Sequence, residues 1–543
     1  MPSRDFPAVA PETPLADLLD RAAQLWPERG VTVFDGRGRR QDRRTYLELR
    51  NAAHQTARRW TGLGLAPGDR VLVALPTSWD FLDAWLGALV RGARPVAVAP
   101  GAALGAGQAH LDKIDGLVER LGARFVVTRD ALRDEAAAVG RAALASRALS
   151  AEALRATAET SFEAPRPAGE DTAFLQLTSG STGVPRAVQI PHRAALHNAL
   201  ASDLAIGVPH GAPTHVWADS MVSWLPLHHD MGLVGCLLLS IYCGHELVLM
   251  PPALFLARPR VWLDQLSRRG EVFAPAPNFG YQLCLERLDA EAREGLALGG
   301  WRAAMTGAEM VRPDTVRAMV EAFGPHGFRA DAFRPCFGLA EATLAVTFDL
   351  VGRGLRTRPL PTGGDVDGVS SSVDAEIACL GAPVVDTEVA IVAPDGGRLE
   401  DGAIGEVLVR GPGVFTGYWG DPEATAESLR DGWLVTGDLG FVDSGELYLT
   451  GRSKDVLILR GHNLMPHEIE WQAEAVTGGG GALRSGAFSV TRDARGELAV
   501  LVVETQERDV SEDNRERAAD PLSDVGRLRA QALGVTFLSL DDQ

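Results

Sequence analysis

The run Thr178-Ser179-Gly180-Ser181-Thr182-Gly183 contains only residues with a small hydroxyl side chain or none, and an apolar, strand-like segment (Phe174, Leu175, Leu177) leads into it. Side chains this small leave backbone N–H groups and hydroxyls facing outward, which suits a concave cradle for phosphate oxygens. Val184 and Pro185 follow, then the cation Arg186. The spacing differs from the Walker loop, because no Gly-Lys-Ser/Thr ends it. In isolation the stretch reads equally well as a flexible Ser/Gly linker. Its position between buried-looking apolar segments, and the five motifs that follow it, favour a nucleotide site.

Those motifs are Trp224-Leu225-Pro226-Leu227-His228-His229-Asp230-Met231-Gly232, Thr306-Gly307-Ala308-Glu309, Phe337-Gly338-Leu339-Ala340-Glu341-Ala342-Thr343-Leu344, Thr436-Gly437-Asp438 and Gly451-Arg452-Ser453-Lys454-Asp455. The elements between them alternate. Residues 15–26 and 46–63 have the spacing of amphipathic helices, 70–75 reads as a buried strand and 80–91 as the helix after it. Further strands are expected at 95–98 and 124–128, and surface helices with a connector over 133–170. Alternation of this kind predicts an α/β fold with doubly wound sheets, continuing from 171 to about 350. The span 353–378 is rich in Gly, Pro, Ser and Asp and reads as an insertion or exposed loop. Short Val/Ile/Leu segments over 385–450 predict a small β-rich subdomain. Beyond it, strands at 456–459, 486–491, 498–504 and 534–540 and helices at 467–476 and 521–533 predict a small, mobile α+β domain, with a charged loop at 506–520. The expected division is 1–451 for the large N-terminal domain and 452–543 for the C-terminal one.

With 543 residues and 46% hydrophobic composition the chain can bury large cores. Its net charge of −18 argues against nucleic acid and anionic membrane partners. The longest apolar stretch, 233–242, is well short of the ~20 residues a membrane span requires. The N-terminus has no basic start followed by an apolar run, and Cys236, Cys243, Cys284, Cys336 and Cys379 form no C-x-x-C pair. Reduced thiols in a cytoplasmic protein are expected, without a zinc site. Lysine is scarce: Lys113 and Lys454 are the two in a chain with 53 basic residues.

Taken in order, the motifs resemble those of the adenylate-forming superfamily, and His-Asp-Met-Gly, Gly-Leu-Ala-Glu-Ala-Thr and Ala276-Pro277-Asn278-Phe279 resemble its fatty acyl-AMP ligase branch. The resemblance implies ATP and Mg²⁺ as cofactors. It places Thr178, Ser179, Gly180, Ser181, Thr182 and Gly183 on the β/γ-phosphates, with Gly307, Ala308, Glu309, Phe337 and Gly338 around the adenosine. Phe337 stands where the family has tyrosine, keeping a stacking face without the hydroxyl. Glu341 and Thr182 would hold Mg²⁺, Asp438 and Arg452 the ribose, and His229 the reacting carboxylate or α-phosphate. Asp230, Met231, Gly232 and Cys236 fall at the acyl pocket, and Lys454 on the hinge of the small domain. The insertion sits where fatty acyl-AMP ligases restrain that hinge and disfavour CoA, so an acyl carrier protein is the implied acceptor. Arg452, Arg460 and the Arg-rich helix near 527 would form the basic patch that docks it.

Three departures bear on function. The family's Pro-Lys-Gly is Pro185-Arg186-Ala187 here, which keeps the charge but changes its shape. Its Gly-Gly is Gly235-Cys236, which is expected to shorten the acyl channel. The family's terminal Pro-Lys-Thr-x-Ser-Gly-Lys segment has no counterpart before Gln543, an expectation of slow adenylation, with Arg527 or Arg529 as substitutes. Two rival readings keep the ATP site. One activates a small oxyanion such as nitrite for diazotisation of an aryl amine. The other binds ATP without turnover.

Overall fold

The computed structural model describes residues 10, 13–38, 40–101, 107–129, 131–178, 185–207, 219–359, 376–455, 457–459, 462–464, 466, 470, 485–491, 497–503 and 536–539. Its first sheet has six strands in the order Ala148–Ser150, Phe125–Thr128, Arg70–Val73, Arg94–Ala97, Thr172–Thr178, Arg186–Pro191. All run parallel except the last, which returns antiparallel so that Arg186 lies opposite Thr178. The residues between those two positions carry the hydroxyl- and glycine-rich run that the sequence reading expects to hold phosphate.

The second sheet has nine strands, in the order Ala382–Pro383, Ala345–Phe348, Phe333–Gly338, Trp301–Thr306, Val272–Pro275, Ser220–Ser223, Glu246–Leu249, Gly30–Phe34, Arg40–Thr45. Its interior is parallel, and its central strands end at the expected site motifs. Sites in open α/β sheets lie at this carboxyl end. The strands Gly30–Phe34 and Arg40–Thr45 depart from the sequence reading, which saw 15–165 as one alternating unit. All five residues of Gly30–Phe34 are buried, Thr32 among them, so the run is too short and buried on both faces to show a reliable period. It is covered by crossing to the far edge of the second sheet, next to Glu246–Leu249.

Local signals set the helices that back these sheets. Thr45 and Glu48 form a capping box that starts Tyr46–Gly62, and Ser78 accepts from the Phe81 amide to start Trp79–Val90. The helix Gln108–Leu121 packs Leu111, Ile114, Leu117, Val118 and Leu121 into the same apolar cluster as Leu175 and Ala187. Indole and phenyl rings fill the larger core, with Trp60, Trp85, Trp262, Trp301 and Phe174 fully buried.

The third sheet is antiparallel and matches the expected β-rich subdomain: Glu388–Val392, Gly405–Arg410, Leu429–Arg430, Trp433–Asp443 and Glu446–Arg452. Within the 353–378 segment, expected as an insertion or exposed loop, Thr357–Pro359 and Glu376–Ala378 form strands that pair antiparallel. Three short helices (Ala131–Ala138, Ala142–Arg147, Ala151–Ala156) occupy most of 133–156. Towards the C-terminus, Leu457–Leu459 forms a strand, and Ser485–Thr491, Glu497–Val503 and Thr536–Ser539 form a three-stranded sheet, as the sequence predicted. Of the predicted helix at 467–476 only residue 470 is described, while the predicted helix at 521–533, the loop at 506–520, Arg460, Arg527 and Arg529 lie outside the described residues. All five cysteines are free and four are buried. Among the described residues no helix is long and apolar enough to cross a membrane.

Candidate active site

Four segments converge where the parallel strands of the second sheet end. The first is His228 to Gly232. Gln176, buried in the first sheet, donates to the His228 carbonyl at 2.9 Å and ties this turn to the phosphate-loop strand. The His228 and His229 rings lie 4.7 Å apart. Burial holds both imidazoles below the ordinary range, His228 at about 4, and the charge of Lys113 pushes both in the same direction. His229 is therefore a neutral ring at working pH, able to accept or donate a hydrogen bond. Gly232 is required by sterics, since a Cβ there would lie 2.3 Å from the Pro226 carbonyl oxygen. Past it, Leu233–Leu238 is a π-helical turn, a feature frequent at functional sites. Cys236, within that turn, is fully buried, and its thiol is pushed up to about 12 by desolvation, with Ser223 as its hydrogen-bond partner. Met231 and Leu344 flank Gly235.

The second and third segments are Thr306–Glu309 and Asn278–Arg287. Glu309 accepts from the Phe279 amide at 3.0 Å and so caps the start of that helix. Its carboxylate is thus engaged in holding two site segments together. Ala308 takes a positive φ of 70°, and Gly307 is crowded by Cys336. Phe279 is 47% exposed and meets the Trp224 ring edge-on at 5.4 Å, an unusual exposure for phenyl that leaves an apolar wall at the site.

Phe337 to Leu344 is the fourth. Phe337 is buried on the strand Phe333–Gly338, and a Cβ on Gly338 would fall 1.8 Å from the Leu344 carbonyl oxygen. Asn198 locks the following turn by donating to the Ala342 and Ala345 carbonyls and accepting from the Ala345 amide. The turn presents Glu341. The Tyr418 hydroxyl donates to Glu341 Oε1 at 2.7 Å, and the Arg186 guanidinium lies 5.1 Å over the Tyr418 ring.

Asp438 arrives from the third sheet. It is buried opposite Arg452, whose Nε donates to it at 3.2 Å. Desolvation raises its carboxyl to about 6; Arg452 opposes the rise and Glu341 adds to it. The same holds for Asp230, raised to about 6 by desolvation with Glu341 contributing. The Glu341 charge thus bears on carboxylates from two other segments, and the three line one site. Lys454 is exposed in the turn after Arg452. Ser179, Gly180, Ser181, Thr182 and Gly183 lie outside the described residues; their flanks, Thr178 and Arg186, are paired.

A single-proton dependence follows from Asp438. Ionised, it accepts hydrogen bonds from hydroxyls; protonated, it loses half of that capacity. Nucleotide affinity is expected to fall as pH drops through about 6. Asp438→Asn should weaken binding ~10–100-fold at pH 8, the range of a hydrogen bond to a charged group, and abolish the pH step. Titration of a fluorescent ATP analogue from pH 5 to 8 checks both; a step that persists in the variant assigns it elsewhere.

Tyr418 and Asn198 are site residues that sequence reading did not single out. Tyr418 sits in Gly417-Tyr418-Trp419-Gly420, which reads as an ordinary turn.

Comparisons with known proteins agree with this arrangement. The profile of the AMP-binding enzyme family matches residues 19–419. A Caulobacter vibrioides protein, provisionally named an acyl-CoA synthetase, is 34% identical over 97% of this chain and 90% of its own length. JamA of Moorena producens, a medium-chain-fatty-acid–[acyl-carrier-protein] ligase, is 36% identical over 64% of this chain and 60% of its own. One of the fatty acyl-adenylate ligases solved from E. coli and L. pneumophila superposes with a TM-score of 0.84 at 30% identity, covering 99% of this chain and 94% of its own. The chain belongs to the AMP-binding enzyme family and is an adenylate-forming ligase of the fatty acyl-AMP ligase-like branch.

Proposed function

We propose that the protein joins a medium-chain carboxylic acid to AMP and passes the acyl group to the phosphopantetheine thiol of an acyl carrier protein. The observation that carries the adenylation step is the meeting of Glu341, Asp438–Arg452 and Arg186 around one turn, beside the neutral His229. A carboxylate oxygen of the acid attacks the α-phosphorus of ATP, the bond to the β-phosphate oxygen breaks, and pyrophosphate leaves. Asp438 and Arg452 orient the ribose, Phe337 offers adenine a buried face, and His229 holds the carboxylate in line. In the second step the thiol sulfur attacks the acyl carbon and AMP leaves.

The donor set fits Mg²⁺. Glu341 offers carboxylate oxygen, and among the described residues no group of three His, Cys, Asp or Glu could cage a metal by itself. Mg²⁺ commonly binds this way, through one or two carboxylates plus substrate phosphates. Bound there with Thr182, it would neutralise charge on the phosphates.

A medium chain is supported by the name of the Moorena relative and by Cys236, fully buried in the π-helical turn. The carrier-protein acceptor is supported by that relative, while the Caulobacter relative's name points to CoA. We further propose that the chain divides at 451/452, so that the segment after Arg452 turns about Lys454.

The test is product identification by mass spectrometry with ATP, Mg²⁺ and acids of two to sixteen carbons, aryl acids, and nitrite with an aminoaryl acid. An acyl-AMP mass supports the reading. AMP formed only with nitrite and amine would replace it with oxyanion activation, and ATP binding without AMP would leave an inert homologue. Holo carrier protein and CoA offered side by side decide the acceptor. Cys236→Gly should raise the ratio of kcat/KM for long over medium acids by about tenfold, the scale of a methylene or two in an apolar pocket. An unchanged ratio would show that Cys236 does not bound the pocket.

A further inference from the structure

Tyr418 stands between the two oppositely charged groups that this reading places nearest the phosphates. Its backbone is stapled to the strand that begins with Arg186: the Gln189 amide donates to the Gly417 carbonyl at 3.0 Å, the Trp419 amide to the Ala187 carbonyl at 2.8 Å, and Tyr418 bridges Val188. Its own amide donates to Thr425 Oγ1 at 2.9 Å. The ring is held edge-on by Phe415 at 4.9 Å, and the Phe415 amide donates to the Glu341 carbonyl at 2.8 Å. The anchors to Gln189, Ala187 and Val188 thus fix Tyr418 on the strand that carries Arg186, and Phe415 ties its ring to the Glu341 backbone.

The side chain does two things at once. Its hydroxyl, 2.7 Å from Glu341 Oε1, occupies one carboxylate oxygen. Its face carries the Arg186 guanidinium at 5.1 Å. Arg186 and Glu341 make no ion pair with each other. Without a spacer, a guanidinium and a carboxylate that both meet one side chain are free to join as a fork, and the pair would be lost to phosphate and metal. A planar guanidinium stacks on an aromatic face and a lysine ammonium does so less well, which gives a physical reason for arginine at 186.

We propose that Tyr418 is the positioning residue of the adenylation centre, holding Glu341 by one oxygen with the other free for Mg²⁺ while its ring keeps Arg186 apart and aimed at the phosphates. The proposal rests on the adenylation reading. Its test compares the full-length wild type with Tyr418→Phe, Tyr418→Leu and Arg186→Lys. The readouts are melting temperature, binding of a fluorescent ATP analogue against Mg²⁺ or Mn²⁺ concentration, and AMP formation. Tyr418→Phe keeps the ring and should raise the metal concentration for half-maximal nucleotide binding about tenfold, with metal-free binding and melting temperature unchanged. Tyr418→Leu should add a loss of kcat of about a hundredfold as Arg186 closes on Glu341, and Arg186→Lys should lower kcat in the tyrosine background but not in the leucine one. Unchanged metal dependence in Tyr418→Phe would overturn the proposal, as would a Tyr418→Leu defect confined to melting temperature. If the wild type forms no AMP with any acid, the adenylation reading falls, whereas the metal dependence of nucleotide binding still decides the role of Tyr418.

Discussion

Glu341→Gln is expected to lower AMP-forming turnover ~10²–10³-fold, the usual effect of removing one preorganised group from a developing charge, while leaving the fold intact. The substitution is nearly isosteric. The Tyr418 hydroxyl can still donate to the amide oxygen, and Asn198 still holds the turn through the backbone carbonyls of Ala342 and Ala345. What is lost is the negative charge, and with it the metal ligand that the proposed reading assigns to Glu341. Asp230 and Asp438 would each lose a carboxylate neighbour that raises their proton affinity. The acid limb of the nucleotide-binding profile should therefore move slightly downward in pH. Initial rates of AMP formation at saturating ATP, measured with the thermal unfolding of the same sample, check the prediction. Turnover within twofold of wild type would remove Glu341 from the chemistry.

Arg356→Ala should produce a large loss of stability. Asp349 is 1% exposed at its carboxylate and is bonded by Arg356 through Nη2 at 3.0 Å and Nε at 3.1 Å. The same guanidinium bonds Glu446 at 2.6 and 2.8 Å and approaches the Cys379 sulfur at 3.0 Å. Arg353 helps with Glu446 but stands 3.8 Å from Asp349. Removing one partner of a buried pair leaves a charge without compensation, which typically destabilises by about 3–5 kcal/mol; the remaining Arg353 suggests the lower end. The network joins the base of the 353–378 segment to the strand Glu446–Arg452, whose neighbour carries Asp438. Amide hydrogen exchange should accelerate over 376–378 and 433–452, and the double variant Asp349→Asn/Arg356→Ala should recover part of the loss. Exchange unchanged in those strands would mean that the network is solvated and weak.

Most of the fold class was legible because each of its signals is local. Capping boxes, apolar periods and Gly-rich turns act over a few residues, so the helices at 17–25, 46–62 and 79–90 and the strands at 70–73, 94–97 and 125–128 fell close to where the sequence placed them. Gly30–Phe34 and Arg40–Thr45 escaped for the converse reason. The partner of Gly30–Phe34, Glu246–Leu249, is far away in the chain, and nothing in five buried residues says which sheet will cover them; Arg40–Thr45 then adds at the edge by pairing back onto Gly30–Phe34. The two strands that root the 353–378 segment were hidden in the same way, since each is three residues long and what supports them, the charges of Asp349 and Glu446 and the packing of Ile377 and Cys379 on Phe441 and Tyr448, comes from elsewhere in the chain.

The site divides along the same line. Residue type and order alone determined the chemistry on offer: a hydroxyl- and glycine-rich loop before a cation, an acid in Gly-Leu-Ala-Glu, an acid in Thr-Gly-Asp and an arginine after Gly451. These are properties of short segments and survive without coordinates. Only the tertiary structure decided which groups share a field. It set Glu341 against Asp230 and Asp438, engaged Glu309 in capping a helix, held His228 and His229 neutral beside Lys113, and placed Tyr418 between Arg186 and Glu341. Burial and Coulomb interactions depend on distance in space, and three sheets drawn from distant parts of the chain must close before those distances exist.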